Sequence, residues 1–425
     1  MKTLRDVCIV DARRIPFCKS GTSYMGLSNR DLLKPVMQGL VNDLGLEGER
    51  IGEVSLGAVN KHARDWNMAR EATIDAGLSL ETPAFDIQKA CGTSLETVLT
   101  LGAKIAIGQI DSAIAAGSDT NSDLPIEFSK KMSDRLLAMN YAKTTMDKLM
   151  ALKGLMPKDL LPQLPSVNEQ RTKLSMGQST EIMAKNWKIT REAQDQLAVE
   201  SHQKAAKAYE DGFYDKMVIP FQGLKTDPLV RPGTNLEKLA KLKPAFDKSG
   251  AGTLTAGNST ALTDGAAAVF LCSEDYAKER GLPVLAKLVM GESAAVDYVS
   301  GRDGLLIAPV FAVARMLKRA GLSLGDFDLY EFHEAFAAQV LCTFKAFEDE
   351  AFSRERLQWE GALGSVDRTK LNLKGGSLAL GHPFAATGAR IVGSLAHQLN
   401  QRGGGRGLIS ICTAGGMGVT AILEA

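Results

Sequence analysis

Residues 85–106, FDIQKACGTSLETVLTLGAKIA, decide how the rest of the chain is read. After Cys91, the residues Leu95, Val98, Leu99, Gly102, Ala103 and Ala106 recur at i, i+3, i+4, i+7, i+8 and i+11, the pattern of a helix with one buried face. Cys91 therefore stands where a strand becomes a helix. Unpaired backbone N–H groups and the positive end of the helix dipole favour a thiolate there, so a lowered Cys91 pKa and a nucleophilic sulfur are expected. The competing reading is a small buried hydrophobe, since free cysteine is among the most buried residue types.

The 425-residue chain is 45% hydrophobic and 23% charged, an ordinary globular balance at a length that calls for two or three packed units. Fifty Lys and Arg against 49 Asp and Glu leave a formal net charge of +1, so no global field draws nucleic acid. The opening MKTLRDVCIVDARRIPF carries acids and no long apolar run, which resembles neither a signal nor a transit peptide, and no stretch reaches the 18 apolar residues of a spanning helix. The cysteines at 8, 18, 91, 272, 342 and 412 form no CxxC pair, which argues against a zinc site and a dense disulfide framework. A cytoplasmic location is expected.

Outward from the Cys91 stretch, the grammar is βαβ. Strands are expected at 7–10, 54–59 and 112–116, the last made of small residues and suited to a buried parallel sheet, with a helix near 29–44. From about Asp123 to Lys248 the sequence turns to charged helices, Pro and Met, and reads as an insertion. Strand-helix-strand grammar resumes with GTLTAGNSTALTDGAAAVFLC and continues through strands at 284–289, 327–332 and 407–411 and helices at 309–320 and 389–399. The two halves follow one plan without a strict repeat. Each brings a reactive side chain close to a helix start, Cys91 in the first and His382 in the second, and a pseudo-twofold would let the two meet.

His382 sits in GGSLALGHPFAATGARIV, a Gly-rich setting that suits an exposed imidazole better than a packed one, and beside Cys91 it could take the thiol proton. Cys412 follows the strand GLISI and precedes TAGGMG, where the backbone can approach a ligand closely. Two cysteines and a histidine at Gly-bearing strand ends suggest one thiol for covalent catalysis and another for proton transfer. His333, in EFHEAFAAQ directly after a strand, is a fourth candidate, with Glu334 either orienting it or capping the following helix.

CGTS at 91–94, GNSTALTDGAA at 257–267, HEAFA at 333–337, GHPFAATGAR at 381–390 and CTAGGMG at 412–418 together resemble the ordered signatures of the thiolase family across essentially the whole chain. HEAFA in place of NEAFA and GHPF in place of GHPI are most similar to 3-ketoacyl-CoA thiolases that form β-subunits of trifunctional fatty-acid oxidation complexes. The resemblance implies an α/β fold, a five-layered αβαβα core of two βαβαβαββ halves with an inserted loop domain. The halves would be residues 1–122 with 249–279, and 280–425; the insertion, 123–248, would hold coenzyme A.

By the same resemblance Cys91 is the acyl-accepting nucleophile, His382 its activator, Cys412 the acid and base at the α-carbon of acetyl-CoA, and His333 the holder of a water in an oxyanion hole. A second hole would use the backbone N–H groups of Cys91 and Ala414, where a glycine is more usual. Met176, Arg231, Leu242, Phe246, Ala256, Thr260, Ala335 and Phe336 would line the CoA pocket, Arg231 meeting phosphate or adenine. Ser175, before Met176, departs from the histidine of many short-chain thiolases.

The implied activity is cleavage of 3-ketoacyl-CoA by CoA or the reverse Claisen condensation of acetyl-CoA, with CoA as substrate and without metal or redox cofactor. The rivals are a decarboxylating ketoacyl synthase-like condensing enzyme, which would not need Cys412, and a noncatalytic CoA-binding subunit. The resemblance further implies a homodimer or dimer of dimers and allows an α-type hydratase/dehydrogenase partner. Residues 129–173 hold nine Lys or Arg against four Asp or Glu, together with Leu136, Leu137, Met139, Met146, Leu149 and Met150. Basic helices with apolar faces are expected there, either covering the mouth of the active site or touching a membrane or partner surface.

Overall fold

Ten strands form one mixed sheet in the computed structural model, which describes residues 4–165 and 168–425; residues 1–3 of the opening stretch and 166–167 of the basic segment lie outside the described residues. The first half supplies β1 (Val7–Arg14), β2 (Cys18–Lys19), β3 (Glu53–Leu56), β4 (Ala84–Asp86), β5 (Ser112–Asp119) and β6 (Thr263–Ser273). The second supplies β7 (Ala286–Ala295), β8 (Leu329–Phe332), β9 (Arg406–Thr413) and β10 (Met417–Glu424). The order is β4-β3-β5-β6-β1-β7-β10-β9-β8, with β2 paired to β6.

The same pairing rule runs through both halves. β4, β3 and β5 are parallel, whereas β6 is antiparallel to both β5 and β1. Likewise β8 and β9 are parallel, whereas β10 is antiparallel to both β9 and β7. The strand of the second half that would match β4 is reduced to a single parallel bridge between Tyr330 and Leu371. The expectation of parallel strands is thus corrected for the small-residue strand β5, whose second neighbour is antiparallel, and β10 lay outside the sequence reading. The half-sheets join where Val7, Cys8 and Ile9 meet Leu288, Lys287 and Ala286.

Both faces of the sheet are covered, and alternate side chains enter different cores. Val7, Ile9, Ala113, Ala115, Val269 and Leu271 share one core with Leu95, Val98, Ala389, Val392, Ile409 and Val419, so two helices, Thr93–Ala106 and Thr387–Arg402, lie between the half-sheets. Cys8, Val10, Ile114, Ala268 and Phe270 face a second core with the helices Asn29–Asp43 and Met68–Asp75. On the far side Leu408, Cys412 and Ile422 face a third with Ala308–Ala320 and Ala337–Glu348. Helix, sheet, helix pair, sheet and helix give five layers. In the central helix Leu101 and Ile105 are buried while Ala103 is exposed, which rotates the buried stripe from that expected.

Residues 120–262 connect β5 to β6. Their first helices, Lys130–Tyr141 and Thr145–Ala151, bury none of their residues. The later helices, Met176–Asn186 and Arg191–Glu210, pack on Ala337–Glu348 of the other half. Glu181 accepts from Thr253 N, Thr253 Oγ1 and Leu254 N at 2.8–2.9 Å, and Asn258 donates to Asp195 at 2.9 Å, which fixes the connection against the strand it feeds.

Candidate active site

The turn before Cys91 is strained. Ala90 has φ of 45°, a left-handed conformation costing a non-glycine residue about 1–3 kcal/mol. Thr93 Oγ1 holds it, donating to Ala90 O at 2.7 Å and accepting from Lys89 N at 2.8 Å. The central helix starts immediately afterwards, with Gly92 at the N-cap position. Its neighbour, Thr387–Arg402, approaches so closely that a Cβ on Gly388 would lie 2.3 Å from Leu95 N, and Ala389 N donates to Ser94 Oγ at 2.7 Å. Glycine at 388 thus lets the two helix starts, and the residues before them, meet.

Cys91, His382, Cys412 and Ala414 line one cavity of about 270 Å³ with Ser175, Met176, Phe246, Thr260, Ala335, Phe336 and Phe384. The four candidates converge here, His333 through His382, whose ring lies 4.1 Å away between centroids. His333 Nδ1 is 2.9 Å from Ser377 Oγ and His382 Nδ1 is 2.6 Å from Thr387 Oγ1; both Nε2 atoms are buried without a protein partner. An unsatisfied buried polar atom costs about 1–3 kcal/mol, so two side by side mark a place built for a ligand group or a water.

Two expectations are corrected here. Burial pushes the Cys91 thiol up to about 12, against the hydrogen bond donated by Ala414 N–H, and the Asp119 carboxylate raises it further. The lowering expected from the helix start is overridden because the sulfur faces an apolar cavity and the charge bearing on it is negative. His382 is 3% exposed, not open, because its loop turns inward at Gly381, φ 97°, and is anchored by His382 N to Thr263 Oγ1 at 3.1 Å and Ala385 N to Asp119 at 2.8 Å. Burial, aided by the Arg390 charge, holds this imidazole down at about 3, and burial with His382 and Arg390 holds His333 well below the usual range. Burial likewise raises the Cys412 thiol, with Cys91 adding to the shift.

Behind the histidines lies a polar layer that the sequence reading missed. Arg390 Nη2 donates to Ser377 Oγ at 2.7 Å, and Glu331 stands 3.8 Å from Arg390. Glu334 neither orients His333 directly nor caps the helix Ala337–Glu348 that follows it. Its carboxylate accepts from Ser201 Oγ, Asn372 Nδ2 and Leu378 N at 2.6–3.2 Å and so pins the loop that carries Ser377. The only sequence signal was GGS preceding the histidine motif, and Gly376 is required there because its Cβ would lie 2.3 Å from the Glu334 carboxylate.

Of the expected CoA residues, Met176, Phe246, Thr260, Ala335 and Phe336 stand with Cys91, whereas Arg231 and Leu242 line a neighbouring cavity of about 300 Å³ with Gly233, Thr234, Lys238 and Leu239. Ala256 lines neither and is exposed beside Gly257, whose Cβ would touch Leu239 and Leu242. Ser175 is the N-cap of Met176–Asn186, accepting from Gln178 N while Gln178 Oε1 accepts from Ser175 N, so a capping box occupies the position where a histidine was the alternative.

Residues 7–275 match the model of the thiolase N-terminal domain and residues 282–425 that of the thiolase C-terminal domain. The chain belongs to the thiolase family. It is 42% identical over 424 residues to a 3-ketoacyl-CoA thiolase of Pectobacterium carotovorum subsp. carotovorum (strain PC1), covering 98% of this chain and 96% of the relative. A 3-ketoacyl-CoA thiolase of Yersinia pestis (strain Pestoides F) shows the same identity and coverage. Among solved structures, the acetyl-CoA acetyltransferase of Bacillus anthracis superposes over 100% of both chains with TM-score 0.82 and 31% identity. Human mitochondrial 3-ketoacyl-CoA thiolase in complex with CoA superposes over 100% of this thiolase-family chain and 99% of its own, with TM-score 0.81 and 29% identity.

Proposed function

We propose that this thiolase-family enzyme transfers acyl groups between CoA and acetyl-CoA through a thioester on Cys91. The observation that carries the reading is one apolar cavity holding two thiols, Cys91 and Cys412, beside a histidine pair with free Nε2 atoms. In the cleavage direction His382 takes the Cys91 proton as the sulfur adds to C3 of a 3-ketoacyl-CoA. The C2–C3 bond breaks, leaving an acyl-Cys91 and an enolate whose oxygen is met by the protonated His382 and by the His333 side. Cys412 gives its proton to C2, and acetyl-CoA leaves. The thiol of CoA then passes its proton to the Cys412 thiolate and attacks the acyl-Cys91, and the released Cys91 sulfur recovers the proton held by His382.

The environment suits this sequence. A thiol held up and imidazoles held down are neutral together, so charge separation awaits a substrate carbonyl that can share it. With Arg390 donating to Ser377, the serine hydroxyl proton is free to reach His333 Nδ1, leaving Nε2–H as donor toward an oxyanion or its water. His382 needs the opposite tautomer, Nδ1–H to Thr387 and a bare Nε2, to accept a thiol proton. The N–H of Ala414, already directed at Cys91 sulfur, supports the acyl-enzyme hole.

Arg231 and Lys238 in the adjoining cavity suit the phosphates of CoA. The enzyme is further proposed to work as a homodimer or dimer of dimers in the cytoplasm. No described helix is long and apolar enough to cross a membrane. Exposed Leu137, Tyr141, Met146 and Leu149, on a basic helix and a neutral one flanked by Lys143 and Lys153 that together bury nothing, fit docking to an anionic lipid surface, with an α-type subunit as the other outcome. Incubation with acetyl-CoA should leave an acetyl thioester on Cys91, seen by mass spectrometry, and protect it from iodoacetamide; label on Cys412 instead would reverse the roles. Rates on acetoacetyl-CoA and a C16 ketoacyl-CoA, side by side, decide chain length.

A further inference from the structure

The turn between β9 and β10 carries the Ala414 N–H and is conformationally soft, with Gly415 and Gly416 both left-handed at φ 77° and 68°. A turn built on two such glycines shifts at little cost, and a shift would carry the Ala414 backbone, with its N–H, away from the sulfur. The 414–415 peptide is nevertheless held at both ends. Thr413 Oγ1 donates to Ala414 O at 3.0 Å, and Gly415 N donates to Glu169 Oε1 at 2.7 Å.

Glu169 comes from the connection between β5 and β6, far from β9 in sequence. Its backbone is closed into a turn, Lys173 N to Glu169 O at 2.8 Å and Glu169 N to Leu174 O at 2.9 Å. The second carboxylate oxygen accepts from Tyr298 Oη at 3.1 Å, and Tyr298 packs against Gly416, where an added Cβ would lie 2.4 Å from its ring. The turn runs straight into Ser175, the cap of the helix that walls the cavity. One carboxylate thus bridges the connecting segment, the catalytic turn and the strand end after β7.

We infer that Glu169 is a positioning residue for acyl transfer: by holding Gly415 N–H it fixes the backbone on the C-terminal side of Ala414, and so keeps the Ala414 N–H of the preceding peptide aimed at the thioester oxygen of acyl-Cys91. This rests on the proposed role of Cys91. The connecting segment therefore completes an oxyanion hole whose donors it does not itself supply, and displacement of that segment lowers acyl transfer without touching the enolate side of the cavity.

The test compares two half-reactions in the full-length protein: single-turnover acetylation of Cys91 by acetyl-CoA, and deuterium exchange at the α-carbon of acetyl-CoA, which needs Cys412 and the histidines. Glu169→Ala should slow acetylation about tenfold or more while exchange stays within about twofold. Glu169→Gln, which keeps an oxygen acceptor for Gly415, should restore most of the acetylation rate, and Tyr298→Phe should give an intermediate loss. Unchanged acetylation in Glu169→Ala, or equal loss of acetylation and exchange, overturns the inference while leaving the site assignment standing. A parent enzyme that takes no acetyl group on Cys91 overturns both.

Discussion

His333 stands where an asparagine is the commoner family choice, and its geometry separates holding from proton transfer. Nδ1 is committed to Ser377, and Nε2 is the atom left to act. If Nε2–H only donates a hydrogen bond, His333→Asn should keep most activity, because an amide N–H₂ fills that role. His333→Ala should lose roughly 2–4 kcal/mol of transition-state stabilisation, read as kcat/KM. Equal losses in both variants would assign proton transfer to the imidazole. Glu331 gives a residue-scale prediction about stability. Burial holds its carboxyl up at about 7 from a usual 4.5, with Arg390 opposing, so the native state keeps this proton longer than the unfolded chain. That contribution is complete below about pH 4.5 and is lost as pH rises through 7. Glu331→Gln, which retains an acceptor for Gln398, should therefore flatten the fall of Tm between about pH 5 and 8; an unchanged slope would place the titration elsewhere.

Among the elements, the crossing of the two central helices sets how closely Cys91 and His382 approach. Gly388→Ala would press a methyl group into the Leu95 backbone and Ser94, neither of which can turn aside, so a loss of about 1–3 kcal/mol of stability is expected together with a lower kcat. A parent-like kcat would show that the helix starts have slack. The strands and helices around Cys91 and His382 were legible because their apolar residues recur at strand and helix periods, and the motifs named the four side chains that the fold brings together. The polar layer was not. Ser377, Arg390 and Glu331 are ordinary polar residues until the fold buries them, and nothing local distinguishes them from solvated ones. The sign of the Cys91 shift was misread for the same reason, since a helix start is visible in sequence while the apolar walls of Phe246, Phe336 and Phe384 arrive from three distant segments. The antiparallel setting of β6 was equally invisible, because a strand buried on both faces has one apolar pattern whichever way its neighbours run.

For the whole molecule, charge and exposed apolar area concentrate in one outlying pair of helices. Lys131 is engaged there with Gly154 O and Asp159 at 2.7 and 2.6 Å, so the informative variant changes Lys130, Lys143, Lys148 and Lys153 to Gln and leaves Lys131 in place. Co-sedimentation of the parent with anionic liposomes at low salt, weakened about tenfold or more in the variant and at physiological salt, is the expected result. Unaltered co-sedimentation in the variant, or none in the parent, removes the lipid surface as the occupant. The long excursion between β5 and β6 has another consequence, for the newborn chain. β6 joins β1 to the rest of its half-sheet, hydrogen-bonded to β1 from Val7↔Ser273 onward and to β5 from Ser112↔Cys272 onward. Until residue 273 has left the ribosome, β1 lacks both of its sheet neighbours and β5 lacks one, because the helices and β3 made by then cover faces and one edge of β5 but not the edges that β6 will fill. Folding of the first half is therefore late, governed by a loop closure spanning most of its length, and such a chain is exposed to aggregation for as long as synthesis of the excursion lasts.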